Sequence, residues 1–349
     1  MRLKHFLPII YTVFLTPIII LTSCYTVPLE TRFDNPYEQL GHKYSIRLDT
    51  TWNTNRAESL LKMLESIAPR PDVNVTASTW KINSDEMQND ILIELQNGIK
   101  SVTISTDAFP DQADEQELVP ERRLFDAAVQ FVTENGTNRS AIKFILQARY
   151  GISTEIESYE FLFNKLPDDE RGAEITEFEN KDLMIFLSIF EKFPKALQKM
   201  PQLEYIVCRS DANLGFAGRA WTTLNFMEYD SAFLNNGSPD GISQVIAHEK
   251  AHFLWTHLFP EQLKNDWQEL GGWYEDKKSE HGWSTTRDRD TFISDYAMEK
   301  NPNEDMAESL ARYLVYPDEL RSACPDKYKF VHERIMVIYN ERYLSPNLK

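Results

Sequence analysis

Residues 241–255, GISQVIAHEKAHFLW, place His248, Glu249 and His252 in the order HExxH, and that spacing has chemical meaning only on an α-helix. At 3.6 residues per turn, side chains at i and i+4 stand on one face about 5–6 Å apart. The two imidazoles can therefore share one zinc ion, while Glu249 projects beside them. Its carboxylate can take a proton from water bound to the ion, whose pKa zinc lowers towards ~7. Ile242, Val245, Ile246, Phe253 and Leu254 supply the apolar positions of a helix buried over most of its length. Gly237, Pro239 and Gly241 read as the loop before it. The alternative is a buried helix whose two histidines are satisfied by nearby carbonyls.

A hydrolytic zinc needs three protein ligands and one open position, so a third donor is required. His257 does not fit the extended HExxHxxGxxH pattern, because Trp255 stands where its glycine belongs and Leu258 where its last histidine belongs. His281 lies in a Trp-rich loop without periodicity. Glu304 is the stronger candidate. It falls on a second helix, with Asn301 as N-cap, Pro302 at the first helical position, and Met306, Leu310, Tyr313 and Leu314 on one stripe. The competing reading is a capping box, in which the Glu304 side chain folds back on the Asn301 amide and binds no metal. Glu308, one turn further on, is either a substitute ligand or a group that orients a ligand histidine through its other ring nitrogen.

The run FISDYAMEKNPNEDMAES, following HEKAH at this distance on a lipoprotein-like chain, resembles the zinc-binding metallopeptidases of bacterial envelopes described as substrate import-associated zinc metallohydrolase lipoproteins. More distantly it is similar to the catalytic domain of anthrax lethal factor, a gluzincin, although the spacing from Tyr296 to Glu304 departs from that protein's. The resemblance covers roughly residues 203–315. It implies zinc on His248, His252 and Glu304, Glu249 as general base, and Tyr296 as the phenol that hydrogen-bonds the developing oxyanion. It also implies an outer-membrane TonB-dependent import system as partner. Against a catalytic Tyr296, Phe292, Ile293 and Tyr296 also form an i, i+3, i+4 apolar stripe of the kind that packs in a core.

Arg2, Lys4 and His5 precede an apolar run from Phe6 to Leu21 that ends in Leu21-Thr22-Ser23-Cys24. This is the pattern of a bacterial lipoprotein signal covering residues 1–23, with Cys24 cleaved and acylated. A membrane-spanning anchor is the rival, but the run is shorter than the ~20 residues a bilayer needs, and Pro8 and Pro17 interrupt it. The expected location is the outer membrane, facing either the periplasm or the exterior.

The formal charge of −17 disfavours nucleic acid as a partner, since phosphate binding calls for a basic face. Cys208 and Cys324 remain after Cys24 and can pair in an oxidising compartment, but the strand-like LEYIVCR suits Cys208 equally well to a buried thiol.

The expected fold is α+β and zincin-like, helix-rich, with a small mixed sheet ahead of the HExxH helix. Residues 24–115 read as a small α+β region: Pro36 to Leu48 extended, Asn55 to Ile67 an amphipathic helix, and ILIELQNGIKSVTIS a hairpin turning at Asn97-Gly98. An acidic stretch from Pro110 to Pro120 marks the boundary to a catalytic domain at 116–349. Helices are expected there at Arg122–Thr133, Ser140–Tyr150 and Asp182–Phe193, and strands at Leu203–Arg209 and Trp221–Tyr229. GRAWTTLNFMEY is the candidate edge strand for holding substrate main chain to main chain. Trp273, His281 and Trp283 either floor a pocket or pack a loop.

The function expected is zinc-dependent cleavage of an amide bond, most simply in a peptide. A zincin-fold lipoprotein that binds a nutrient and delivers it to an importer without cutting it is the rival, and hydrolysis of an amide in a glycan or cell-wall fragment is a third.

Overall fold

The computed structural model describes residues 35–67, 77–83, 91–96, 99–106, 109, 121–132, 139–155, 164, 166, 174–210 and 215–339. The expected signal segment with Cys24, the Asn97-Gly98 turn and residues 110–120 lie outside these. From Asn35 onward the described residues belong to one mixed α+β unit. Among them, no helix is long and apolar enough to cross a membrane.

The first part runs α1 (Pro36–Tyr44), β1 (Ile46–Leu48), α2 (Thr54–Ile67), β2 (Ser78–Asn83), β3 (Ile91–Gln96), β4 (Ile99–Ser105), α3 (Glu121–Val132) and α4 (Arg139–Ile145), the last continued by a π-helical turn, Leu146–Tyr150. Then follow β5 (Ile175–Thr176), α5 (Asn180–Glu191), α6 (Lys195–Gln198), β6 (Tyr205–Arg209), β7 (Gly218–Trp221), β8 (Phe226–Asp230), α7 (Ser231–Asn236) and α8 (Pro239–Phe253). The last part holds α9 (Glu261–Leu270), the hairpin β9 (Trp273–Glu275) and β10 (Trp283–Thr285), α10 (Asp295–Glu299), α11 (Pro302–Val315), α12 (Pro317–Ala323) and α13 (Pro325–Phe330).

Two sheets of four strands share one plan. In the first, β2 and β4 are parallel, and β3 pairs antiparallel to β4 at the edge; in the second, β6 and β8 are parallel, and β7 pairs antiparallel to β8 at the edge. Each is a strand followed by a hairpin whose second arm returns beside it. One hydrophobic core runs on through both, from Trp80, Val102 and Phe131 to Phe186, Ile206, Ile246 and Leu310. The apolar core therefore continues across the boundary expected near residue 115.

Three readings are corrected. Pro36–Tyr44 is helical, not extended: the Asn35 side chain accepts from the Tyr37 amide and Pro36 opens the helix, the usual N-terminal chemistry. Trp221–Tyr229 is not one strand, because Thr222–Asn225 form a turn in which Asn225 takes φ +66°, a conformation that asparagine tolerates better than most residues. The HExxH helix starts earlier than expected: Ser238 caps it by accepting from the Gly241 amide, Pro239 is its first residue, and Gly241 lies inside the first turn.

Candidate metal centre

Helix α8 buries Ile242, Ile246, Ala247, Ala251 and Phe253, and it packs most extensively against α11, which buries Met306, Ala307, Leu310 and Ala311. Small alanines on both helices permit close approach, and the histidines of one then meet the acid of the other. His248 Nε2 lies 3.1 Å from His252 Nε2 and 3.1 Å from Glu304 Oε2, and His252 Nε2 lies 3.4 Å from that same oxygen. Among the described residues, these three are the one group of such side chains that could hold a metal ion.

The donor set fits zinc. Ligand atoms about 2.0–2.2 Å from one ion at tetrahedral angles stand roughly 3.3–3.6 Å apart, close to the triangle seen here. The second nitrogen of each ring faces a polar side chain. His252 Nδ1 faces Asn303 Oδ1 at 3.1 Å, which fixes the tautomer that leaves Nε2 free to donate its lone pair. Glu308 Oε1 stands 3.0 Å from His248 Nδ1, yet off the line of the ring N–H, so this nitrogen gains a charged neighbour without a hydrogen bond. The other Glu308 oxygen accepts from Ser294 Oγ at 2.9 Å. Glu304 is thus the carboxylate that meets both Nε2 atoms, and Glu308 the one beside the other nitrogen of His248. The capping-box alternative does not form: Asn301 Oδ1 accepts from the Asn303 and Glu304 amides, while the Glu304 carboxylate turns to the histidines.

The electrostatics describe a seat for positive charge. Burial works against a charged His248, but Glu304 and Glu308, with Glu249 nearby, outweigh it and push the imidazole up to about 10. Burial likewise opposes the Glu304 carboxylate, and the two imidazoles overcome it, holding the group far below the usual range. Glu249 is displaced the other way. Only 7% exposed, it is raised chiefly by desolvation, partly offset by the two imidazoles and the Ala220 backbone amide.

That amide belongs to β7, which lies against α8. A Cβ on Gly218 would meet Val245 Cγ1 at 2.7 Å and Glu249 Cγ at 3.1 Å, so the approach of strand to helix depends on the missing side chain. Together they wall a cleft of about 550 Å³, lined among others by Phe216, Gly218, Val245, His248, Glu249 and Tyr296. Tyr296 does not pack with the apolar residues of the stripe that stood against its catalytic role. Phe292 is buried in a small cluster with Trp273 and Ala297, whereas Tyr296 is 45% exposed, its ring centroid 6.2 Å from that of His248. Burial and the carboxylates of Glu304 and Glu249 keep its hydroxyl protonated well beyond its ordinary range.

Other candidates lie elsewhere. His257 Nε2 meets the Thr222 carbonyl oxygen at 2.9 Å, and His281 Nε2 meets Lys300 Nζ at 3.0 Å. Trp273 and Trp283 pack the small cluster beside α10, and Trp273 Nε1 donates to Asp305 Oδ2 at 3.1 Å, where Lys327 binds the other oxygen. Cys208 and Cys324 are both buried and unpaired with each other.

Several participants escape the motif. Asn303, Ser294 and Gly218 act through tertiary approach, and no local signal marks them. Lys250, inside the motif itself, is fully buried: its ammonium donates to the Gln198 carbonyl oxygen at 2.7 Å and lies 3.9 and 4.8 Å from the ring centroids of Phe190 and Phe193. Compared with family models, with curated proteins and with solved structures, the chain matches none.

Proposed function

We propose that this chain is a zinc-dependent metallohydrolase of zincin-like architecture, a peptidase of gluzincin type. The observation that carries the reading is the triangle of His248 Nε2, His252 Nε2 and Glu304 Oε2, with the buried Glu249 carboxylate on the same helix. Zinc bound there supplies Lewis acidity and makes water a nucleophile near neutral pH.

The protein's own groups supply the rest. Glu249, its proton affinity raised by burial, accepts the proton as water attacks the carbonyl and delivers it to the leaving amine. Tyr296, protonated and part-exposed at the cleft, is the donor aimed at charge developing on the carbonyl oxygen. An acceptor in extended conformation suits the edge strand β7, where main chain can pair with main chain, and this favours peptides over other amides. The Arg2, Lys4 and apolar leader pattern ending at Cys24 supports an envelope lipoprotein held by lipid, and the resemblance to import-associated lipoproteins adds the outer membrane and association with a TonB-dependent importer.

The test uses the zinc-loaded full chain on a mixed peptide library, with cleavage blocked by a chelator and restored by zinc. Glu249→Gln is expected to keep its zinc and to lose about 10²–10⁴-fold in turnover. Undiminished turnover in that variant overturns the mechanism.

A further inference from the structure

Tyr296 reaches the cleft from α10, a helix of five residues. So short a helix does not hold itself, because its first hydrogen bond costs the freedom of several residues. Its place is set by what grips it. Phe292, Ala297 and Trp273 pack together on one side, and Arg289 pairs with Asp295 on another. Its start is held by one hydroxyl. Ser294 Oγ accepts from the Ala297 amide at 3.0 Å, which caps α10, and donates to Glu308 Oε2 on α11 at 2.9 Å. The direction of the second bond follows because a carboxylate oxygen only accepts. A single side chain thus fixes where α10 begins and which way a carboxylate of α11 turns.

Through Glu308 the serine reaches the metal site. With Oε2 taken by Ser294, Oε1 is left 3.0 Å from His248 Nδ1. His248 can offer Nε2 to an ion only as the tautomer with its proton on Nδ1. That nitrogen is buried and makes no hydrogen bond. The negative charge beside it compensates the N–H and makes Nε2 a stronger donor. Arg312, one turn further along α11, lines the same cleft, and its pair with Glu319 is exposed. It is the cation towards which a loosened Glu308 would turn, away from His248.

We propose that Ser294 is a positioning residue of the metal site: its hydroxyl keeps Glu308 beside His248 and sets α10, and with it Tyr296, against the same histidine. The inference rests on the zinc reading above and adds to it a group that touches neither ion nor substrate.

The test is the zinc affinity of the full chain, measured by competition with a chromophoric chelator, alongside kcat and KM on a peptide that the wild type cleaves. Glu308→Ala is expected to weaken zinc about 10–100-fold, and Ser294→Ala, one contact further out, about three- to tenfold. The double variant should bind no more weakly than Glu308→Ala alone, because the two changes remove one shared contact. Ser294→Asp separates the serine's two duties. Aspartate caps a helix as well as serine does but cannot donate to a carboxylate, so affinity should fall at least as far as in Ser294→Ala. Ser294→Thr keeps both bonds and should stay within about twofold of the wild type. In turnover the loss should fall on kcat, about tenfold in Ser294→Asp, with KM within about twofold, since β7 is untouched. Wild-type affinity in Ser294→Asp, or single effects that add in the double variant, would make the serine a helix cap and nothing more, and overturns the proposal. A wild-type chain that binds zinc but cleaves no peptide ends the peptidase reading and leaves the zinc affinities to decide on Ser294; a chain that binds no zinc ends both.

Discussion

Strands β3 and β7 hold equivalent places. Each opens a hairpin, and each is the antiparallel edge of a four-stranded sheet whose central pair is parallel. β3 exposes Leu92 and Leu95, 45% and 73% open to solvent. β7 instead lies on the metal helix, its Gly218 leaving room for Val245 and its Ala220 amide turned to Glu249. A shared topology leaves an edge free in both sheets, and the residue that lets a helix come close decides which edge joins a site.

The sharpest break in this comparison is expected at the metal end. Glu304→Ala removes the oxygen donor and should reduce retained zinc, read by elemental analysis after dialysis, by about tenfold or more, because two imidazoles alone seldom hold the ion. Retention at the wild-type level would remove the reason for distinguishing β7 from β3. Gly218→Val tests the strand itself. Its side chain would enter space taken by Val245, so urea unfolding should show a loss of about 1–3 kcal/mol, with lower turnover as Glu249 shifts.

A pH effect belongs to the second sheet too. Burial, with Asp182 and Asp230 nearby, pushes the Cys208 thiol up to about 12, whereas an unfolded-state thiol ionises near 8.5. The folded state then holds a proton that the unfolded state has released, so stability is intact below the lower value and falls as pH rises through this window. Cys208→Ala should flatten the alkaline part of a stability profile by about 2 kcal/mol at pH 10. The smallest effect is expected on β3, where Leu95→Lys should change unfolding by no more than about 0.5 kcal/mol. A loss there as large as that of Gly218→Val would make the two edges alike.

The metal helix was legible because its ligands are local: i and i+4 on one rod need no knowledge of the rest of the fold. Glu304 was only half legible. Asn301 caps α11 through its own side chain, and the same letters serve whether or not Glu304 folds back to join it, so only the neighbouring helix decides where that carboxylate points. Tyr296 hid in a stripe with Phe292 because the i, i+3, i+4 spacing presumes one helix, whereas α10 starts only at Asp295 and Phe292 before it is extended. The break inside Trp221–Tyr229 carries neither glycine nor proline, and its turn rests on Asn225 alone. The kinship of the two sheets was invisible, since strand order follows from long-range pairing and the two units share no repeated sequence.

Lys250 gives the motif helix a mechanical property. Following Glu249 and lying between the two ligand histidines, its ammonium is locked against the Gln198 carbonyl oxygen and two phenylalanine rings on α5 and just beyond it. Rolling the rod about its axis would break that hydrogen bond and press into hydrocarbon an amine that burial already lowers to about 7. The lysine therefore works as a key in a shaft, indexing the azimuth at which both imidazoles and the acid between them face the carboxylate of Glu304 and the cleft.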